Sequence, residues 1–207
     1  MTAPLRRRRR GPLVAVVSVL AVAAVVTWTV VLTNASGPSG PQSCPESAVG
    51  SPGESLDAEA LDAVAPAPPG QAPVRVLNAS GQRGQANLVA AQLGDLGFAA
   101  AGDPDNDPFF PDGDMECVGQ IRFGAAGEGA ASTVALVLPC AELVRDGRAE
   151  PTVDVSVGTA FGDVNPPRPV RDVLESLGAP SPADDGATGE PMPPDPTTLA
   201  EARGAAC

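Results

Sequence analysis

Six acids crowd one short stretch of this 207-residue chain: Asp103, Asp105, Asp107, Asp112, Asp114 and Glu116. Counted from Asp103, the first, third, fifth and twelfth positions of a calcium loop are Asp103, Asp105, Asp107 and Asp114. Carboxylates at that spacing can converge on a hard cation. The match is weak. Pro108 stands where the sharp-turn glycine belongs, and position twelve lacks the bidentate Glu. A solvated, turn-rich loop accounts for the same acids. Phe109 and Phe110 interrupt this loop. Either one ring packs inward, or the pair lids an apolar groove for a lipid or a partner helix.

The second chemical candidate is Asn78-Ala79-Ser80-Gly81-Gln82-Arg83-Gly84-Gln85-Ala86. A strand that runs into a glycine-rich turn and a helix start can bind an anion. Asn78, Ser80, Gly81 and Gly84 would then be its contacts. The segment is neither a Walker loop nor a dinucleotide fingerprint. The plainer reading is structural: Gly81 and Gly84 permit positive φ and close helix–sheet packing.

Enzymatic chemistry finds little support. The chain has no histidine, which removes the usual general base, zinc ligand and pH switch. No cofactor motif is present, and the expected protein is not an enzyme. Cys44, Cys117, Cys140 and Cys207 form no Cys-x-x-Cys element, so disulfides are expected rather than a redox or zinc site. The abundance of Ala, Gly, Pro and Arg reads as drift toward GC-rich codons, as in actinobacteria.

Compartment follows from the first 35 residues. Arg6 to Arg10 are consecutive, and Leu13 to Leu32 carry no charge. Twenty helical residues span about 30 Å, the thickness of a bilayer's hydrocarbon core. The arginines keep their flank cytoplasmic, and Trp28 suits the outer interface. A cleaved signal ending near Thr33-Asn34-Ala35 is the rival reading. In both, the rest of the chain lies on the extracytoplasmic side. That part holds eight arginines against 25 acids, a balance of −17. Such a charge repels nucleic acid.

The elements that must position these groups are legible from patterning. Residues 1–12 form a basic cytoplasmic start, 13–33 the transmembrane helix, and 34–72 a Pro/Gly/Ser-rich linker with one short helix over Ser55–Val64. Residues 73–178 form the domain, and 179–207 an acidic, Pro-rich tail ending in Cys207. Within the domain, Pro73–Asn78 reads as a strand. Ala86, Val89, Leu93 and Leu96 then mark a helix closed by Gly97. Val118–Phe123 and Ala130–Leu138 repeat this strand-helix order, which suggests an internal duplication. The helix is expected to continue through Cys140–Val144 past Pro139. Val153–Val157 alternates as the last strand, and Val170, Val173, Leu174 and Leu177 make an amphipathic helix. The fold class is α+β: a small β-α-β/β-α-β sandwich with helices on one face of the sheet. A six-residue strand and the returning helix cover similar lengths of about 20 Å, so Cys117 and Cys140 should meet at one end. Cys44 would then pair with Cys207.

The Asn78–Ala86 segment after its Val-rich strand, with Gly158-Thr159-Ala160-Phe161-Gly162 further on, resembles the LytR C-terminal domain. Ala79 and Gln85 depart mildly from that family's pattern. In larger members the domain follows a catalytic ligase domain, for which this chain has no counterpart. The resemblance implies a membrane-anchored, non-catalytic role in envelope integrity and supplies no catalytic residue. Partners on this reading are a cell-wall polymer, a lipid or another envelope protein. The alternative is a lipid-binding module with an apolar groove.

Overall fold

The structure is a computed structural model that describes residues 11–35, 43–179 and 193–204. Arg6–Arg10, Cys207 and the Pro-rich segment 180–192 lie outside the described residues. The chain divides into two compact units, Met1–Ser39 and Gly40–Cys207.

The first unit contains helix α1, Gly11–Ala35. Side chains are described for Val16 and for residues 18–29. Among the described residues no helix is long and apolar enough to cross a membrane. The hydroxyls of α1 bond inward along the helix: Thr27 Oγ1 donates to the Ala23 carbonyl and Thr29 Oγ1 to that of Val25, both at 2.8 Å. This is how Ser and Thr satisfy themselves in apolar surroundings.

Among its described residues the second unit holds one seven-stranded sheet and four α-helices. In chain order the elements are β1 Glu54–Leu56, β2 Pro73–Asn78, α2 Gln85–Asp95, β3 Ala99–Ala100, β4 Asp105–Asn106 and β5 Gly119–Phe123. Then come α3 Glu128–Val137, β6 Glu142–Arg145, β7 Val153–Val157, α4 Arg168–Gly178 and α5 Pro196–Arg203. The strand order is β1-β6-β5-β7-β2-β3, with β4 also on β2. Two parallel β-α-β units, β2-α2-β3 and β5-α3-β6, are joined by β7. β7 runs parallel to β2 and antiparallel to β5. The duplicated strand-helix order seen in the sequence is therefore a duplicated supersecondary unit.

Period-two alternation splits the strands cleanly. Val74, Val76, Ile121, Phe123, Leu143, Val153, Val155 and Val157 face the helices and share one core with Val89, Leu93, Val134, Val173 and Leu177. Arg75, Gln120, Arg122, Glu142, Asp154 and Ser156 point to the other face. α2 starts after Gly84 and ends where Gly97 takes φ 89°. The Phe98 N–H then bonds the Leu93 carbonyl at 3.1 Å, which closes the last turn.

Three sequence expectations are corrected. The helix does not pass Pro139. Proline lacks an N–H and drives its predecessor out of the helical region; Leu138 lies at φ −124°, ψ 63°. The chain instead returns as β6, which pairs with β5 from Gln120↔Glu142 to Phe123↔Arg145. Ser55–Val64 is not a helix either: Glu54–Leu56 is an edge strand antiparallel to β6, followed by a 3-10 turn at Ala58–Leu61. Leu61 of that turn is buried in the core. Past residue 192 the chain adds α5. Asp195 caps it by accepting the Thr197 and Thr198 N–H groups at 2.9 and 3.1 Å. Arg203 then ties it to the Val64 carbonyl at 2.8 Å.

The third correction concerns the cysteines. Cys44 is bonded to Cys117, with their Cα atoms 5.1 Å apart, and Cys140 is a free thiol. The β5–β6 register does bring the flanks of Cys117 and Cys140 to one end of the unit. A third cysteine reaches that end because residues near Cys44 fold back onto the sheet. There the Cys44 N–H donates to Glu142 Oε2 at 3.3 Å.

Candidate functional site

The loop between β3 and β5 separates two clefts, and most of the residues singled out in the sequence lie on its two sides. On one side is the glycine-rich turn. Asn78 and Ser80 are consumed in stitching it. Asn78 Nδ2 donates to the Gln82 carbonyl at 2.9 Å, and Ser80 Oγ donates to Asn78 Oδ1 at 2.8 Å. Ser80 Oγ also accepts the Gln82 N–H and contacts Gln85 Oε1. Gly81 and Gly84 sit at φ 71° and 80°, in the left-handed region. Gly81 lies against Gly113 so closely that a side chain at Gly113 would strike its backbone. The expected ligand contacts Asn78 and Ser80 are thus first of all builders of the turn.

Next to this turn opens a cleft of about 470 Å³ at the C-terminal ends of β2 and β4. Asn78, Gly81 and Gly84 line it with Arg83, Asn87, Asp105 and Asp112. Ligands of parallel α/β sheets occupy this position. Arg83 and Asn87 are exposed here.

The four aspartates of the calcium pattern do not converge. Asp103, Asp105 and Asp114 are exposed, while Asp107 is buried. The Asp107 carboxylate is spent: it accepts the Phe109 N–H at 2.8 Å and the Ser156 hydroxyl, and pairs with Arg122 at 2.8 Å. Among the described residues no group of three or more His, Cys, Asp or Glu could hold a metal. β4 lets Asp105 and Asn106 follow the sheet instead of wrapping an ion.

The two phenylalanines part company. Phe110 is buried with Ala79, Met115 and Cys117 in a small second core beside the disulfide. Phe109 is half-buried, with the Arg122 guanidinium 5.0 Å from its ring centroid. The apolar hollow beside β2, lined by Val74, Val76, Ala90, Leu93 and Phe98, holds only about 40 Å³.

Beyond Phe109, on the sheet face away from the helices, lies a cleft of about 580 Å³. Its floor is an ion-pair ladder across β2, β7 and the loop that follows β6. Asp154 accepts Arg75 Nε and Nη2 at 2.8 and 2.7 Å, and Arg148 at 2.7 Å. Arg148 also grips Asp146 at 2.6 Å. Deeper in, Arg122 donates to Gln120 Oε1 at 2.7 and 2.9 Å, and Gln120 donates to Glu142 at 2.8 Å. Burial alone would raise the Asp154 pKa, but the hydrogen bonds from Arg75 and Arg148 outweigh it and hold the carboxyl below its usual range. Arg75 is pushed up, mainly by its bonds to Asp154. Sequence reasoning missed Arg75, Arg122, Arg148 and Asp154 as a group. The signal was there: Val74-Arg75-Val76, Ile121-Arg122-Phe123 and Val153-Asp154-Val155 each put a charge between two apolar strand residues.

Residues 71–161 match the family described as LytR cell envelope-related transcriptional attenuator, and one curated relative is 40% identical over 189 residues. The chain belongs to the LytR C-terminal-domain family of envelope proteins. That relative is the cell envelope integrity protein Cei of Mycobacterium tuberculosis, and the alignment covers 87% of either chain. A crystal structure of the soluble domain of a conserved hypothetical secreted protein from Mycobacterium marinum is 44% identical. It covers 75% of this chain and 98% of that one, with a TM-score of 0.64.

Proposed function

We propose that this chain is a membrane-anchored, non-catalytic envelope-integrity factor whose extracytoplasmic domain binds a wall or membrane component. The observation that carries the binding reading is the pair of open clefts sharing one loop as a wall. The kinship with an envelope integrity protein supports the setting. The non-catalytic part rests on how the carboxylates are used. Asp107, Asp146 and Asp154 are each paired with an arginine, so none stands free for proton transfer. The anchor rests on α1: Val19, Leu20, Val22, Val25 and Trp28 are each more than half exposed on an uncharged helix. A helix apolar all round needs apolar surroundings.

Deleting the gene tests the reading. Sensitivity to detergents and wall-active antibiotics should rise, and the full chain should restore it. A version exported through a cleavable signal, lacking residues 13–32, should restore it poorly. An unchanged deletion strain removes the proposal; full rescue by the unanchored version removes the anchor from it. Native mass spectrometry of the full chain separates the occupants: a co-purified lipid would move the reading to the lipid-binding module.

A further inference from the structure

We infer that the sheet-face cleft beside Phe109 binds an uncharged, hydroxyl-rich saccharide ring. The inference rests on the reading that the domain binds an envelope component, and it names the class. The charge of the cleft is balanced: Arg75, Arg122 and Arg148 stand against Asp146, Glu150 and Asp154. An incoming anion would have to compete with Asp154 for Arg75 and Arg148, breaking bonds of 2.7–2.8 Å. A cation would face the three arginines. Neither charge gains from entering. The unit's net acidity works further against a polyanion.

What the floor still offers is directional hydrogen bonding. A guanidinium carries five N–H donors. Arg75 spends its Nε donor and one Nη2 donor on Asp154. The rest of the fork is open, and its side chain is 45% exposed. Asp154 Oδ1 accepts only the Arg75 Nε bond, and the exposed Glu150 carboxylate borders the cleft as a further acceptor. Oriented donors and acceptors side by side, with no net charge, match vicinal hydroxyls, each of which gives and takes one bond. Because the ion pairs already fix these groups, binding would cost little further ordering.

The wall supplies the apolar half of the match. A sugar ring has a C–H face as well as hydroxyl edges, and it stacks on aromatic rings. Phe109 borders the cleft, steadied from beneath by Arg122 and by the Ser47 hydroxyl, which donates to the Phe109 carbonyl at 2.6 Å. Pro52 and Pro108 extend that wall. The volume of about 580 Å³ falls within the range of small-ligand sites, roughly 300–1,000 Å³.

The test uses the full chain in lipid nanodiscs, titrated with maltotriose and xylotriose as neutral probes. Trigalacturonate and the glucosamine trimer serve as their charged counterparts. Neutral trimers should shift the NMR signals of Phe109 and of Arg75 Nε, and saturation transfer should reach the sugar C–H protons. Phe109→Ala should weaken binding roughly tenfold, and Arg75→Lys, which keeps the charge but loses the fork, by a similar factor. Arg168→Ala, at the start of α4, should leave it unchanged. The inference is overturned if no neutral trimer moves these signals at about 20 mM, or if a charged trimer binds as tightly. If sugars fail while Phe109→Ala still cannot restore envelope integrity in cells, the binding reading stands and the saccharide class falls. If that variant also restores integrity fully, the cleft is not the binding site.

Discussion

Ile121 and Arg122 are neighbours on one strand, each no more than 1% exposed, and they are buried by opposite means. Ile121 enters the helix-covered core among Val76, Val155 and Leu143. Its burial is non-directional, and any apolar neighbour of the right size will serve. Arg122 enters the other face, where its charge needs Asp107 at 2.8 Å, Gln120 at 2.7 Å and the ring of Phe109. That face tolerates no half-measure, since a buried charge stripped of its partner is far costlier than a lost methyl. The helix face makes the domain stable, while the polar face holds a set of groups in one geometry.

The largest effect should come from breaking that contrast at Arg122. Arg122→Met leaves the Asp107 carboxylate buried and short of its cation, and should cost about 3–5 kcal/mol in urea unfolding. The paired change Asp107→Asn with Arg122→Met should cost less than Arg122→Met alone. An additive cycle would mean that the two charges do not act as a pair.

Next is the staple that holds residues near Cys44 against the polar side. The Cys44–Cys117 bond closes a separation of 73 residues. Cys44→Ser, or reductant on the native chain, should lower stability by about 2–5 kcal/mol. Cys140→Ser should do neither, and non-reducing peptide mapping should still show Cys44 joined to Cys117.

Acid should reach the polar face before the apolar one. A carboxyl whose folded pKa is depressed, as for Asp154, contributes stability that is fully present above its unfolded value of about 4. That contribution is lost as pH falls through the folded value. The thermal midpoint should therefore drop below about pH 4. In Asp154→Asn the drop should be shallower from a lower starting point. An unaltered acid slope would remove Asp154 from the account.

On the helix side, Ile121→Val should cost only about 0.5–1.5 kcal/mol, because the core loses one methylene. Smallest of all is the surface pair Arg168–Asp172, 3.7 Å apart and well exposed. Arg168→Ala should change stability by no more than about 0.5 kcal/mol.

Much of the fold was legible because its causes are local. The positive φ of Gly81 and Gly84, the close of α2 at Gly97 and the alternation of β2, β5 and β7 follow from sterics and side-chain period within a few residues. The repeated strand-helix order was also visible, so the duplicated β-α-β plan could be expected. β6 was not legible as a strand, because Glu142-Leu143-Val144-Arg145 is too short for its period to tell strand from helix. It is a strand because the exposed edge of β5 was there to pair with it.

What the sequence alone determined, then, is the apolar run of residues 13–32, the glycine turn and the face each strand residue takes. Tertiary structure decided the pairings. Arg122 and Asp154 are register partners, yet Arg122 binds Asp107 and leaves Asp154 to Arg75 and Arg148. Cys117 had three possible partners, and the returning segment delivered Cys44. Backbone period fixes a direction within one or two residues. An ion pair or disulfide depends on which distant group arrives within a few ångströms, and only the packed sheet and its loops settle that.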